Sequence, residues 1–159
     1  MGTWFDVGLI AVLNGVAIGL MLFIVAIGLS LVFGMMDVLN LAHGALFLAG
    51  AYLAWFVVGD RPTWSGWLAA LAVAVAVGAL AGGGLSLLTA PLAGRTHLEQ
   101  ALLTLGVALV VAELLSAAFG DDVRGVNPPP GLDGTVSILG NAYPTYRLAL
   151  IGVGAGLAV

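Results

Sequence analysis

The sequence contains no cysteine and no lysine, and four arginines stand against eight acids. Without cysteine there is no disulfide and no thiolate centre for metal or redox chemistry. The net charge of −4 is spread along the connections, so no basic patch marks a nucleic-acid partner or an anionic lipid surface. Charged residues make up only 8% of the chain, too few to clothe a core of this size in a water-facing shell. The sequence also lacks a Gly-x-x-x-x-Gly-Lys phosphate loop, a Gly-x-Ser-x-Gly nucleophile elbow and a His-Glu-x-x-His zinc motif. No enzyme activity is expected of it, and no cofactor. Met1 to Asp6 carries no Lys or Arg, and the apolar run behind it is too long for a secretory signal, so the start is read as mature structure.

What remains is apolar. Hydrophobic residues make up 62% of the chain and the mean hydropathy is +1.17, whereas a soluble domain holds about 45–50%. The missing polar shell is therefore lipid or other helices. A hydrocarbon core of about 30 Å takes about 20 helical residues, because a helix satisfies its own backbone where water is absent.

That length sorts the chain into an all-α, polytopic transmembrane helix bundle with about four complete spans and the start of a fifth. Val7 to Met36 is uncharged and long enough either to cross with tilt or to include a broken or re-entrant portion, with Gly15, Gly19, Gly28 and Gly34 as weak points. Val38 to Gly59 holds only His43 as an ionisable group, and Asp60, Arg61 and Pro62 close it. Gly66 to Gly94 carries no charge, and Pro91 favours termination or a kink near its end. Gln100 to Gly120 is interrupted only by Glu113, with Glu99 at its start, where a carboxylate suits the helix dipole. Gly120 to Arg147 is loop chemistry, with Asp121, Asp122, Arg124, Asp133 and Pro128 to Pro130, and Thr135 to Leu139 fits a short strand. A last apolar run starts at Leu148 and reaches Val159, too short to cross, so residues 1–159 are read as one transmembrane domain of a longer protein. Trp4, Phe5, Trp55, Phe56, Trp64 and Trp67 mark the span ends, where amphipathic rings prefer the headgroup level.

An ionisable group inside a span costs about 2.5–3.5 kcal/mol on insertion scales, which makes each one a functional candidate. Asp37, Asn40 and His43 fall at i, i+3 and i+6, within one broad face if this stretch is helical. They read either as the polar lining of a solute path, where broken helix ends meet a substrate, or as an aqueous connection in which Asp37 or Asn40 caps the second helix. A single His beside an amide is too few ligands for a metal. Glu113, about two-thirds along its span, reads as a contact to another helix, a cavity or the headgroup boundary, or as a proton or cation carrier. Arg95, Thr96 and His97 form a short polar connection.

Several blocks carry a resemblance. Leu13-Asn14-Gly15, Ile18-Gly19-Leu20, Ala26 to Gly34, Asn40-Leu41-Ala42-His43-Gly44 and Leu48-Ala49-Gly50-Ala51-Tyr52 resemble the opening of the branched-chain amino acid ABC-transporter permeases. Pro91 to Arg95, Leu103 to Gly106 and Tyr146-Arg147-Leu148 continue the likeness, and Asn40 to Gly44 is its most specific block.

The resemblance implies a bacterial inner-membrane subunit that pairs with a second permease subunit. It would be driven by two ATP-binding subunits and receive leucine, isoleucine or valine from an extracytoplasmic solute-binding protein. It also implies a family chain nearly twice this length, whose later half engages the ATPase, and it brings Gly44 into the substrate path beside Asn40 and His43. Permeases for urea or other small solutes share much of the pattern. An ion-coupled secondary transporter or channel relaying through Asp37, His43 and Glu113, and a membrane scaffold that moves no solute, are the rivals from other classes. Orientation divides the two lines of reading: Arg61, Arg124 and Arg147 against Arg95 favour a cytoplasmic Gly120–Arg147 loop by charge, whereas the resemblance places that loop outside. The reading adopted follows the resemblance.

Overall fold

The computed structural model describes residues 3–36, 39–60, 62–92, 94–138 and 140–158, with the side chains of 3–7 and 36 left aside. Five helices and one hairpin follow in the order α1 (Thr3–Met36), α2 (His43–Val58), α3 (Trp64–Thr89), α4 (His97–Phe119), β1 (Thr135–Ile138), β2 (Asn141–Pro144) and α5 (Thr145–Leu157). They form two compact units, Met1–Gly28 with Pro128–Val159, and Leu29–Asn127.

Three helices are long and apolar enough to cross a membrane, over Gly8–Met35, Trp64–Leu92 and His97–Phe119. The chain is therefore a helical membrane protein. The first apolar run is one uninterrupted helix, which removes the broken or re-entrant alternative for it. The second run departs from expectation. Its helix begins only at His43 and holds 16 residues, about 24 Å at 1.5 Å per residue, short of the hydrocarbon thickness. α5, with 13 residues, is also short.

In the unit Leu29–Asn127, α2 packs along α3 and against α4. Thr63 caps α3 by accepting from the Gly66 N–H at 3.1 Å. α3 ends in a 3₁₀ turn, Ala90–Leu92, at Pro91, which lacks the N–H a continuing helix needs. Thr96 then caps α4 in a reciprocal box. Its hydroxyl accepts from the Glu99 N–H, and the Glu99 carboxylate accepts from the Thr96 N–H at 3.2 Å. So α4 starts three residues earlier than the apolar run alone suggests, and His97 lies inside it. Gln100, 5% exposed, ties this start to the turn by donating to the Leu92 carbonyl at 3.2 Å. At the other end, Phe119 stacks on Tyr52 at 5.1 Å and meets Trp55 and Phe56 edge-on, while the Arg124 guanidinium lies 5.0 Å from the Trp55 ring. Trp67 donates its indole N–H to the Asn127 carbonyl at 3.2 Å.

In the other unit, β1 and β2 pair antiparallel, with Val136 opposite Tyr143 and Ile138 opposite Asn141. The expected strand is present. Its partner was not anticipated. Gly140, at φ 88°, supplies the left-handed residue of their connection. The Thr145 N–H bonds the Gly134 carbonyl at 3.0 Å, closing the hairpin onto the start of α5. Gly154 of α5 meets Leu20 of α1 so closely that a Cβ there would lie 2.9 Å from the Leu20 Cβ.

Little of the apolar surface is buried within either unit. Leu80 and Leu87 on α3 are each 77% exposed, and α4 exposes Leu102, Leu109 and Leu114. Helices apolar on their outward faces suit lipid or further helices as their surroundings.

Candidate functional site

Between α1 and α2 the backbone of Leu39 to Ala42 is not helical; the Ala42 and Asn40 carbonyls accept from the Leu46 and His43 N–H groups of α2, which leaves the Leu41 and Ala42 N–H groups and the Leu39 carbonyl to find other partners. At membrane depth such groups must find partners in protein or in a water-lined cavity. Two side chains provide them. Thr104 of α4, completely buried, accepts from the Leu41 N–H at 3.1 Å, and its single proton has the Leu39 carbonyl oxygen within 3.0 Å. The same proton can instead go to the Gln100 or Ala101 carbonyl one turn back on α4. Asn40, 6% exposed, turns its side-chain oxygen onto the Ala42 N–H at 3.0 Å, the local bond by which Asn stabilises a turn.

The helical face expected for Asp37, Asn40 and His43 is thus corrected. Leu39–Ala42 is a break, not a helix, and Asn40 and Thr104 supply side-chain partners to its backbone. Asp37 lies outside the described residues. Asn40 does not occupy the cap position, which belongs to Ala42 and has no side-chain cap; it supports the residue next to it instead. Asn40 and His43 still come together. Both line a cleft of about 510 Å³ whose α2 and α3 walls include Gly50, Ala51, Ala54, Ala74, Gly78 and Gly82. A second cleft, of about 340 Å³, is also lined by Asn40, together with Leu29, Ser30, Phe33, Leu39 and Leu41. Small residues on facing helices leave this room, and clefts of such volume suit small solutes. Chemically the larger cleft offers apolar walls, one amide, one imidazole and the positive end of α2.

His43 is the first residue of α2, half-buried, and its ring makes no hydrogen bond among the described residues. Gly44 follows it in the first turn, exposed. Glu113 is placed apart. It is exposed on α4, lines neither cleft, and has no hydrogen bond or ion pair among the described residues. No group of three His, Asp or Glu side chains able to hold a metal occurs among the described residues.

A break stabilised from a distant helix and opening on a solute-sized cleft is a feature of transport proteins more than of soluble folds. Residues 11–158 match the family described as the branched-chain amino acid transport system permease component. The chain belongs to that family. No curated protein and no solved structure matches it. As a member of the permease family it is a component of an ABC transport system, which implies ABC partners in general.

Two sets of residues in this permease stand within the blocks that carry the resemblance but gain a role only from the structure. Thr104 belongs to the Leu103–Gly106 block, but a lone hydroxyl between Leu103 and Leu105 looks like ordinary helix. Asn14 belongs to the Leu13-Asn14-Gly15 block, but it carries no charge to mark it within its span. It accepts from the buried Tyr143 hydroxyl at 3.2 Å and from the Arg147 guanidinium. The available signal was Asn14 itself, an amide in an apolar run otherwise free of polar side chains until Ser30.

Proposed function

We propose that the chain is the membrane-crossing part of an importer subunit that carries leucine, isoleucine and valine across the bacterial inner membrane. The observation that carries this reading is the Leu39–Ala42 break, with Asn40 and His43 on an apolar cleft, in a chain of the branched-chain permease family. Apolar walls fit aliphatic side chains, and Asn40, His43 and the N-terminal end of α2 supply the few polar groups that orient a solute.

ATP hydrolysis takes place on two separate subunits. A second permease subunit completes the path, and a solute-binding protein delivers solute to the outer face, where the loop between α4 and α5 lies. Closure of the ATPase pair supplies the free energy that separates inward-open from outward-open states.

The test is uptake of labelled leucine by the full-length protein with its partners in proteoliposomes. Uptake should require hydrolysable ATP and be inhibited by isoleucine and valine but not by urea. His43→Ala should raise KM for leucine several-fold, and Glu113→Gln should leave the ATP requirement intact. Uptake that follows a proton or sodium gradient and ignores ATP defeats the proposal; competition by urea alone moves the substrate to that solute.

A further inference from the structure

α1 and α5 meet through a polar cluster that the solute path described above does not use. Arg147, in the first turn of α5, is half-buried. One arm of its guanidinium donates to the Asn14 side-chain oxygen, and its Nε donates to the Tyr146 hydroxyl at 3.1 Å. Tyr143, 1% exposed, donates to the same Asn14 oxygen at 3.2 Å. That oxygen has two lone pairs, and Tyr143 and Arg147 take both. Each partner of Arg147 is neutral, and among the described residues no carboxylate lies within ion-pair distance of it. Asn14 sits inside the apolar stretch Gly8–Met35, so a full positive charge is held at the edge of a membrane span with no carboxylate paired to it among the described residues, only the Tyr146 ring 5.8 Å away.

The remaining guanidinium N–H groups are the fork that grips an oxyanion through two parallel hydrogen bonds. The α5 terminus adds to the attraction. Its N-cap is Pro144, which makes no side-chain cap; the Thr145 N–H is taken by the Gly134 carbonyl, and the helix dipole still presents its positive end on the turn where Arg147 stands. We propose that Arg147, seated by Asn14 and Tyr146, is the centre of a binding site for a singly charged oxyanion, the carboxylate of a solute or the phosphodiester of a lipid headgroup. In its carboxylate form the site rests on the transport reading, since it receives one end of an amino acid; in its phosphodiester form it does not.

The full-length protein, purified and delipidated in maltoside without ATP or partners, separates these sources. Ligand-induced shifts in melting temperature are read with L-leucine against leucinamide, and with phosphatidylglycerol against diacylglycerol. A shift with leucine and not its amide identifies the carboxylate, and a shift with the phospholipid and not diacylglycerol identifies the phosphodiester.

Asn14→Asp is the decisive variant. It places a carboxylate where the amide stood, so Arg147 is neutralised from within and apparent affinity for the oxyanion falls by about tenfold or more. A merely structural clasp predicts the reverse, an Asn14→Asp protein that is as stable as the parent or more so and binds unchanged. Arg147→Gln should match Asn14→Asp in binding, and Arg147→Lys should keep part of it through charge without the fork. The proposal is overturned if no probe shifts the unmodified protein, or if Asn14→Asp binds as the unmodified protein does. Because no transport step enters this measurement, its failure is distinct from failure of ATP-driven uptake.

Discussion

Thr104→Val tests what holds the break between α1 and α2. Valine keeps the shape of threonine and removes only the hydroxyl. In the native protein that hydroxyl is the acceptor for the Leu41 N–H at 3.1 Å and lies 3.0 Å from the Leu39 carbonyl oxygen, in a position with no exposure at all. Stranding a buried donor costs about 1–3 kcal/mol. The Leu39 carbonyl adds less, because it shares the one hydroxyl proton with two carbonyls of α4. The penalty falls on local opening of the break, so it is read as hydrogen exchange of the Leu39–Ala42 segment in detergent-solubilised protein. For the Leu41 amide, about 1–3 kcal/mol corresponds to exchange faster by about 5–150-fold. Thr104→Ser is the control, since it keeps the hydroxyl and loses a methyl worth about 0.8 kcal/mol. It should lower global stability slightly while leaving Leu41 protected. If the Val and Ser variants protect Leu41 equally, Thr104 does not hold the break and the argument from its hydrogen bonds is wrong.

Two further substitutions probe packing within each unit. Gly154→Ala drives a methyl to 2.9 Å from the Leu20 Cβ, which no rotamer change can move, so α1 and α5 must separate; a loss of about 1–3 kcal/mol should appear as a lower unfolding temperature in detergent. Phe119→Ala removes the ring that meets Tyr52, Trp55 and Phe56. Since Phe119 is only half-buried, about half of the 3–5 kcal/mol for a core phenylalanine is expected, whereas Phe119→Leu should lose less than about 1.5 kcal/mol. Thermal unfolding followed by tryptophan fluorescence distinguishes the two, and equal losses would show that the aromatic contacts, not the volume of the side chain, matter there.

The sequence by itself determined the membrane helices, because long stretches without charge admit one backbone-satisfying structure in lipid. It also marked the end of α3 at Pro91, the strand at Thr135 and Asn40 as a turn former ahead of α2. Each of these is a local property: the period of apolar residues, a missing N–H, a turn residue beside a helix start. Only the tertiary structure decided that α2 begins at His43, because the residue that makes the break tolerable is Thr104, on another helix. The same holds for the clasp of Tyr143 and Arg147 on Asn14 and for β2, which exists by pairing with β1. A hydrogen bond between groups far apart in the chain leaves no pattern around either partner. Asn14 and Thr104 therefore look like incidental polar residues until the fold brings their partners to them.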